Sequence, residues 1–403
     1  MSGRPIAAVF AAAFIAGAAS GTALAAGKYD PGASDTEIKI GQTMPYSGPA
    51  SVYGTIGKSE AAYFRMINEQ GGIKGRKINL LSEDDGYSPP KTVEQARKLV
   101  EEDQVLFLLN PLGTPPNTAI QKYMNAKQVP QLFVATGASK WGDPQHFPWT
   151  MGWQPTYRSE AIIYAKYIMQ HQPNAKIGIL YQADDYGRDY LDGLTAGLGD
   201  KAKTMIIKQV SYEATDPTID SQVITLQGTG ADVFLDFSGP KQVAQAIRRL
   251  AAIGWHPLQI INSVSVSVSA VMVPAGPENA VGIISTAYVK DPTDPQWKDD
   301  KDTQTWLAWM KQYYPAGNIA DVYNAYGYSI AQTAVQVLRQ CGDDLTRANV
   351  MKQAASLQHF KLPMLLPGIE INTSASNFYP IRQMELMHFD GKTWVLSGEI
   401  LSD

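Results

Sequence analysis

The sequence predicts a two-lobed α/β protein in which each lobe is a mostly parallel sheet flanked by helices. Three observations lead to this fold class. The chain of 403 residues is long enough for two domains. Apolar stretches typical of strands alternate with helical stretches along most of it, an order that produces parallel sheets covered on both faces. The first such unit, residues 38–78, contains a strand, a loop, a helix and a second strand.

This first unit holds the clearest local signals. Ile38 and Ile40 alternate with polar residues as in a half-buried strand, and the loop after them is rich in Ser, Gly and Pro. Tyr53 precedes a helix in which apolar residues recur at helical spacing, and Gly71-Gly72 is typical of a left-handed helix cap. In open α/β sheets a loop in this position is where ligands bind.

Strands and helices continue to alternate after the first unit. The predicted strands are 105–109, 131–134, 176–181, 205–210, 233–237, 258–261, 381–388 and 393–396. The predicted helices begin near Pro89 and Pro115, each after a hydroxyl residue as expected of an N-cap, and near 159, 186, 242, 303 and 322. The stretch 263–269 reads SVSVSVS and is of low complexity.

The N-terminus has the pattern of a cleavable signal peptide. Arg4 supplies the positive charge, residues 6–19 form an apolar run, and Ala23-Leu24-Ala25 is a small-x-small cleavage motif. The run of 14 residues is shorter than the roughly 20 that span a bilayer. No cysteine follows it as a lipid attachment site. Residues 1–25 are therefore predicted to direct export to the periplasm.

Composition excludes several classes of partner. The net charge of −4 does not favour nucleic acid or an anionic membrane as a partner. Cys341 is the only cysteine, so an internal disulfide is impossible. Because it follows an apolar helical run, a buried, inert thiol is expected, with a reactive or intermolecular thiol as the alternative.

The sequence contains no catalytic constellation. The five histidines are scattered singly, without the spacing of a zinc site. Ser139 lies in G-A-S-K-W, which is not the nucleophile elbow G-x-S-x-G. The pairs Asp84-Asp85 and Asp184-Asp185 are interpreted as strand ends and turn caps rather than metal ligands. A secreted hydrolase would need a nucleophile and a base, so the prediction is a non-enzyme without cofactor or metal.

Two ordered motifs connect the chain to a known family. Residues 45–54 read P-x-S-G-x-x-x-x-Y-G, and residues 67–76 read I-N-x-x-G-G-I-x-G-R. Together they resemble the N-terminal signature of the branched-chain amino acid (Leu/Ile/Val-type) periplasmic binding proteins of ABC transporters. The resemblance implies a type I periplasmic binding protein fold and a monomer that delivers a small-molecule ligand to permease subunits in the inner membrane.

The same resemblance implies where the lobes divide. In this family the backbone passes between the lobes three times, and the corresponding crossings lie near Thr150, Thr286 and Ile381. The N-terminal lobe is then expected to contain 35–149 and 287–380, and the C-terminal lobe 150–286 and 381–403. Nothing in the composition marks these hinges.

The expected ligand-binding residues lie in loops after the strands. In the first lobe, Gly113 allows close backbone approach and the helix amides after it suit a carboxylate. The loop 135–139 corresponds to the family's site for the ligand carboxylate. The expected ligand-binding residues are Tyr53, Leu112, Gly113, Thr114, Ala135, Thr136, Gly137, Ala138, Ser139, Trp153, Tyr186, Phe237, Ser238 and Ser263. As alternatives, Tyr53 packs only at an edge and Thr114 only caps its own helix.

One departure from the family predicts the ligand class. The Leu/Ile/Val proteins place an acidic residue after the strand that here is 258–261, at or beside Val264, where it pairs with the ligand ammonium. No carboxylate lies between Asp236 and Glu278. Because a buried, unpaired ammonium costs several kcal/mol, an aromatic or apolar organic acid is predicted. The alternatives are a true branched-chain amino acid binder and a sensory or amide-type receptor on the same fold.

Overall fold

The computed structural model describes residues 1–3 and 27–402. All but the first three residues of the predicted signal peptide lie outside the described residues. Among the residues that are described, no helix is long and apolar enough to cross a membrane, and no group of side chains has the composition of a metal site. Cys341 is buried, as predicted, and burial raises the pKa of its thiol to about 12.

The strands form two large sheets and one small pair. They are β1 Lys28–Tyr29, β2 Glu37–Met44, β3 Lys77–Asp84, β4 Phe107–Leu109, β5 Gln131–Val134, β6 Thr150–Gly152, β7 Ile177–Gln182, β8 Ile206–Tyr212, β9 Val233–Phe237, β10 Leu258–Ile261, β11 Ile284–Ala287, β12 Asp344–Leu345, β13 Met384–Phe389 and β14 Trp394–Leu401. The first sheet has the order β3-β2-β4-β5-β6, and the second has the order β14-β13-β11-β10-β9-β7-β8.

Helices cover both sheets. They are α1 Gly54–Glu69, α2 Pro89–Arg97, α3 Thr114–Lys127, α4 Tyr157–His171, α5 Asp185–Leu198, α6 Ala202–Met205, α7 Asp220–Gln227, α8 Pro240–Ala252, α9 Val273–Ala275, α10 Lys301–Tyr313, α11 Val322–Cys341 and α12 Arg347–Ala354. The central strands β4 and β9 are buried at every residue, as expected of parallel strands with helices on both faces.

The strand directions confirm the predicted fold class. Every pairing in the first sheet is parallel. In the second sheet the five strands from β8 to β11 are parallel, and only β13 runs against them, in antiparallel pairs with β11 and β14. The molecule therefore has two lobes, a first lobe built on the first sheet and a second lobe built on the second sheet.

Helices α1 and α11 pack together in the first lobe and hold two parts of the chain that are distant in sequence. A side chain is excluded at Gly327 because a Cβ atom there would lie 2.7 Å from the Ile56 carbonyl oxygen. Helix α1 ends where the sequence predicts, with Gly71 at φ 104° and Gly72 at φ 76°. This packing places the start of α11 beside the start of α1.

The chain passes from one sheet to the other three times. The passages follow β6 in the first sheet, follow β11 in the second sheet, and precede β13. They lie close to the crossings expected at Thr150, Thr286 and Ile381. The exact residue ranges assigned to each lobe stay a prediction.

Candidate ligand-binding site

The strands of both sheets end at one cavity between the lobes. The carboxyl ends of parallel strands meet at the same edge of a sheet, so the loops after them converge. The loops after β2, β3, β4 and β5 line the cavity from the first lobe with Pro49, Ala50, Tyr53, Tyr87, Leu112, Gly113, Thr114 and Ala135. Those after β7, β8, β9 and β10 line it from the second lobe with Gln182, Tyr186, Ala214, Gly239, Pro240, Gln242, Ser263, Val264 and Val266.

The remaining lining comes from the interlobe passages and from helices α1 and α11. These residues are Ile56, Gln154, Tyr157, Thr286, Ala287, Tyr288, Val289, Val322, Tyr323 and Tyr326. The space open to the centre of a water-sized sphere is about 110 Å³. Because one water needs roughly 10–15 Å³ by that measure, the cavity has room for a small organic molecule.

The cavity wall is aromatic and uncharged. Seven tyrosines and three glutamines line it, and within the described residues the lining contains no Asp, Glu, Lys, Arg or His. Ring contacts join several of these tyrosines, with a centroid distance of 5.0 Å between Tyr53 and Tyr323 and of 4.9 Å between Tyr157 and Tyr186. A wall of this kind favours an apolar or aromatic ligand body.

The structure brings seven of the expected residues together in this wall. They are Tyr53, Leu112, Gly113, Thr114, Ala135, Tyr186 and Ser263. Gly113 has φ 98°, and a Cβ atom there would lie 2.4 Å from the Tyr87 ring. Close approach therefore does require glycine at this position, and the group that approaches is the ring of another lining residue.

The four other residues of the loop 135–139 are not part of the lining. The Thr136 hydroxyl is 2.5 Å from the Thr114 hydroxyl, and the Gly137 carbonyl accepts the Tyr157 amide. Ala138 is buried. The amide and the hydroxyl of Ser139 both donate to the carboxylate of Asp189. The Ser139 hydroxyl, expected to donate to a ligand carboxylate, thus donates to a carboxylate of the chain itself.

Three further expected residues lie behind the wall in the core. Trp153 is fully buried and donates its indole N–H to the Thr333 hydroxyl at 3.2 Å. Phe237 stacks on Tyr190 with a centroid distance of 4.4 Å. Ser238 is fully buried as well. Aromatic residues near a strand end can face either side of the sheet. Trp153 and Phe237 face the covering helices and the core.

Hydrogen bonds close the cavity between the lobes. The hydroxyls of Tyr53 and Tyr323, both in the first lobe, donate to the carbonyl oxygen of Val264 in the second lobe at 2.9 and 2.7 Å. Next to them, the Ser267 hydroxyl donates to the Asp321 carboxylate at 2.9 Å. The stretch SVSVSVS therefore supplies the second lobe's side of these contacts.

Two carboxylates near the wall, the buried Glu160 and the half-buried Asp184, are occupied by the protein's own donors. Glu160 accepts hydrogen bonds of 2.6–2.8 Å from the hydroxyls of Tyr164 and Tyr190 and from the amide and hydroxyl of Ser263. Burial raises the pKa of Glu160, and these donors offset part of the rise. Asp184 caps helix α5 by accepting the Tyr186 amide at 2.9 Å. Neither carboxylate is part of the cavity lining.

Asp236, on β9, is buried differently. It is fully buried, and neither carboxylate oxygen is in hydrogen-bond geometry with any described group. Burial raises the pKa of this carboxyl to about 7. The neighbouring Ser238 hydroxyl lowers the pKa, but by less than burial raises it. Asp236 therefore lies behind the cavity wall, where ionisation of its carboxyl is less favourable than in water.

Comparison with known proteins agrees with a two-lobed binding protein. The family model described as "Periplasmic binding protein" matches residues 37–393. The Leu/Ile/Val-binding protein homolog 1 of Brucella abortus is 24% identical over 350 residues, which cover 83% of this chain and 87% of that protein. The chain belongs to the periplasmic binding protein family.

Solved structures show the same fold. A fatty acid ABC transporter substrate-binding protein from Thermomonospora curvata superposes with a TM-score of 0.81 at 21% identity, covering 94% of this chain and 95% of that one. A branched chain amino acid ABC transporter protein from Thermus thermophilus with bound valine has a TM-score of 0.81 at 16% identity, covering 91% and 97%. These likenesses show the type I periplasmic binding protein fold.

Proposed function

We propose that this protein is the substrate-binding component of an ABC uptake transporter, which captures a small organic ligand between its lobes and presents it to permease subunits. The observation on which this rests is the cavity itself, which is walled by the strand ends of both sheets. Family membership and the structural likeness to substrate-binding proteins of ABC transporters support the assignment. Export to the periplasm by the predicted signal peptide, and a monomeric state, are parts of the same proposal.

Closure follows from the contacts between the lobes. A ligand in the cavity touches both walls, so it binds the closed form more tightly than the open form and shifts the equilibrium toward closure. The hydrogen bonds from Tyr53 and Tyr323 to Val264 form only when the lobes meet. These hydrogen bonds stabilise the closed form and join protein groups only.

The ligand is proposed to have an aromatic or extended apolar body. Seven tyrosines and several aliphatic residues supply the contact area. Full burial of a side chain the size of leucine or phenylalanine contributes roughly 1.5–3 kcal/mol. The sequence predicts that this ligand carries a carboxylate. In a wall without charged side chains, such a carboxylate would have to accept its hydrogen bonds from main-chain amides.

A branched-chain amino acid is the second candidate, because of the name of the Brucella relative. Against it stands the absence of any carboxylate from the described lining, since a ligand ammonium buried there would have no anionic partner. The two structural relatives are a fatty acid transporter protein and a protein with bound valine, so they do not identify the ligand of this chain.

Calorimetry on the mature protein tests the function. The screen contains leucine, isoleucine and valine beside aromatic acids, amides and short acids. We expect single-site binding of an aromatic compound that is lost in Tyr186→Ala and kept in Tyr167→Ala, a matched change in the same lobe away from the cavity. Submicromolar binding of leucine with none of the aromatic compounds would restore the amino acid candidate. Binding unaffected by Tyr186→Ala would place the site elsewhere.

A further inference from the structure

The positions expected to hold a ligand carboxylate are already satisfied within the protein. The amide and hydroxyl of Ser139 bind Asp189, and the hydroxyls of Thr114 and Thr136 bind each other. Helix α3 begins at Thr114, and the next two residues, Pro115 and Pro116, have no N–H. Of the first three residues of this helix, only Thr114 can offer an amide to an anion.

The wall is equally unsuited to a cation. No carboxylate lines the cavity in the described part of the chain. The two oxygens of Glu160 receive hydrogen bonds from Tyr164, Tyr190 and Ser263, and Asp184 is turned to the start of helix α5. Burying either sign of charge against this wall therefore leaves it without a counter-ion.

Most other polar side chains of the wall are also engaged. The hydroxyls of Tyr53 and Tyr323 donate to Val264. Two of the three lining glutamines have partners. Gln154 accepts from the Tyr326 hydroxyl at 3.3 Å, and Gln182 accepts from Tyr212 and donates to Asp184.

Gln242 differs from the other two lining glutamines. It is the third residue of helix α8, lines the cavity and is only 4% exposed. Its side-chain nitrogen is buried and has no hydrogen-bond partner within the described residues. A buried amide nitrogen without a partner loses its hydration and gains nothing in return. Because this nitrogen is closed to a water-sized sphere, it meets a ligand acceptor only after the side-chain amide turns toward the cavity, and that contact would remove the cost.

We propose that the polar end of the ligand is uncharged, a carboxamide or a hydroxyl, and that it hydrogen-bonds to the side-chain amide of Gln242. The inference rests on the proposed function, because it specifies the ligand of the same cavity. It replaces the predicted organic acid with a neutral aromatic or apolar compound. The Asp236 carboxyl lies behind this wall on β9 and is not part of the lining.

Matched pairs of nearly equal shape test the charge. Calorimetry at pH 7.5 on the mature protein compares benzamide with benzoate and cinnamamide with cinnamate, with leucine as a zwitterion and phenyltrimethylammonium as a cation. We expect each amide to bind about tenfold or more tightly than its acid, and more tightly than the cation, because only the amide avoids an uncompensated buried charge. Tighter binding of either acid or of the cation would overturn the inference while leaving the proposed function intact.

Substitution of Gln242 tests the partner. Gln242→Leu should weaken amide binding about tenfold, and Gln242→Glu, which keeps the shape but exchanges the donor for an acceptor, should also weaken it. Gln245→Leu is the matched control, since Gln245 is on the same helix and does not line the cavity. Equal amide affinity in Gln242→Leu and Gln245→Leu, with both variants folded by thermal unfolding, would overturn the role of Gln242. Failure of every compound to bind would contradict the proposed function itself, and the inference with it.

Discussion

Tyr53 donates a hydrogen bond of 2.9 Å from its phenolic hydroxyl to the carbonyl oxygen of Val264, which lies 211 positions further along the chain and in the other lobe. Tyr323 donates to the same oxygen at 2.7 Å. Both lobes therefore meet at a main-chain atom whose position does not depend on the side chain of residue 264. Because Val264 also lines the cavity, ligand contact and lobe contact are formed by one short turn.

Removing one of these hydroxyls should weaken ligand binding without damaging the fold. Tyr53→Phe and Tyr323→Phe each delete one hydrogen bond of roughly 0.5–1.5 kcal/mol, so we expect a loss of about three- to tenfold in affinity. Since both share one acceptor, each single variant leaves the Val264 carbonyl bonded and only the double variant leaves it unpaired, so the double variant should lose more than the sum. Calorimetry measures this, with Tyr328→Phe, on the same helix as Tyr323 but outside the lining, as control. Unchanged affinity in the double variant would show that these bonds do not contribute to closure.

Glycine at position 113 should be required for the shape of the cavity. Gly113→Ala puts a Cβ atom 2.4 Å from the ring of Tyr87 and forces a side chain onto φ 98°. Gly71→Ala is a matched control, because Gly71 has φ 104° with nothing within 4 Å of the added atom. Both variants should lose roughly 1–2 kcal/mol of unfolding free energy to backbone strain, and only Gly113→Ala should lose ligand affinity. Equal affinity in the two variants would contradict the placement of Tyr87 in the wall.

Ser139 should contribute to stability and not to ligand binding. Ser139→Ala removes the hydroxyl that donates to Asp189, and a hydrogen bond to a carboxylate, here partly buried, contributes roughly 1.5–3 kcal/mol. Urea unfolding should show a loss of about that size, and calorimetry should show wild-type affinity. A fall in affinity at unchanged stability would instead support Ser139 as a ligand contact, as the sequence predicts.

Asp236 should make stability depend on pH. Burial raises the pKa of this carboxyl to about 7 from 3.8, so the folded state holds the proton more tightly than the unfolded state. Stability then decreases as pH rises from about 4 to about 7. At 1.36 kcal/mol per pKa unit, Asp236→Asn should gain on the order of 4 kcal/mol relative to wild type at pH 8. The difference should largely disappear near pH 4.

Urea unfolding of both proteins at pH 4.5, 6 and 8 measures this dependence, with the low-pH comparison as the internal control. A difference that does not change with pH would show that Asp236 does not ionise with a shifted pKa.

Much of the fold follows from the sequence because its regular elements are long and periodic. The strand 233–237 and the helix beginning at 322 are found where predicted. The three-residue strand β6 and the helix α12 were not predicted. The first is too short to show any period, and the second has only eight residues, of which Val350 and Met351 are the large apolar ones, so both depend on tertiary contacts.

The binding wall was harder to predict. Tyr53 and Tyr186 follow from motifs, whereas Tyr323 and Tyr326 lie on a helix that is buried along most of its length. On such a helix, a tyrosine facing a cavity has the same sequence pattern as one facing the core. Phe237 shows the converse, since an aromatic residue at a strand end faces either side of the sheet, and here it faces the core. Only the packing of the whole chain decides between these cases.

The central claim is that a ligand binds between the lobes and holds them closed. Small-angle X-ray scattering of the mature protein, with and without a saturating ligand identified by calorimetry, tests it most directly. We predict a smaller radius of gyration with ligand, and no such change in Tyr186→Ala at the same ligand concentration. Binding of the ligand to wild type with an unchanged radius of gyration, or the same decrease in Tyr186→Ala, would contradict the account.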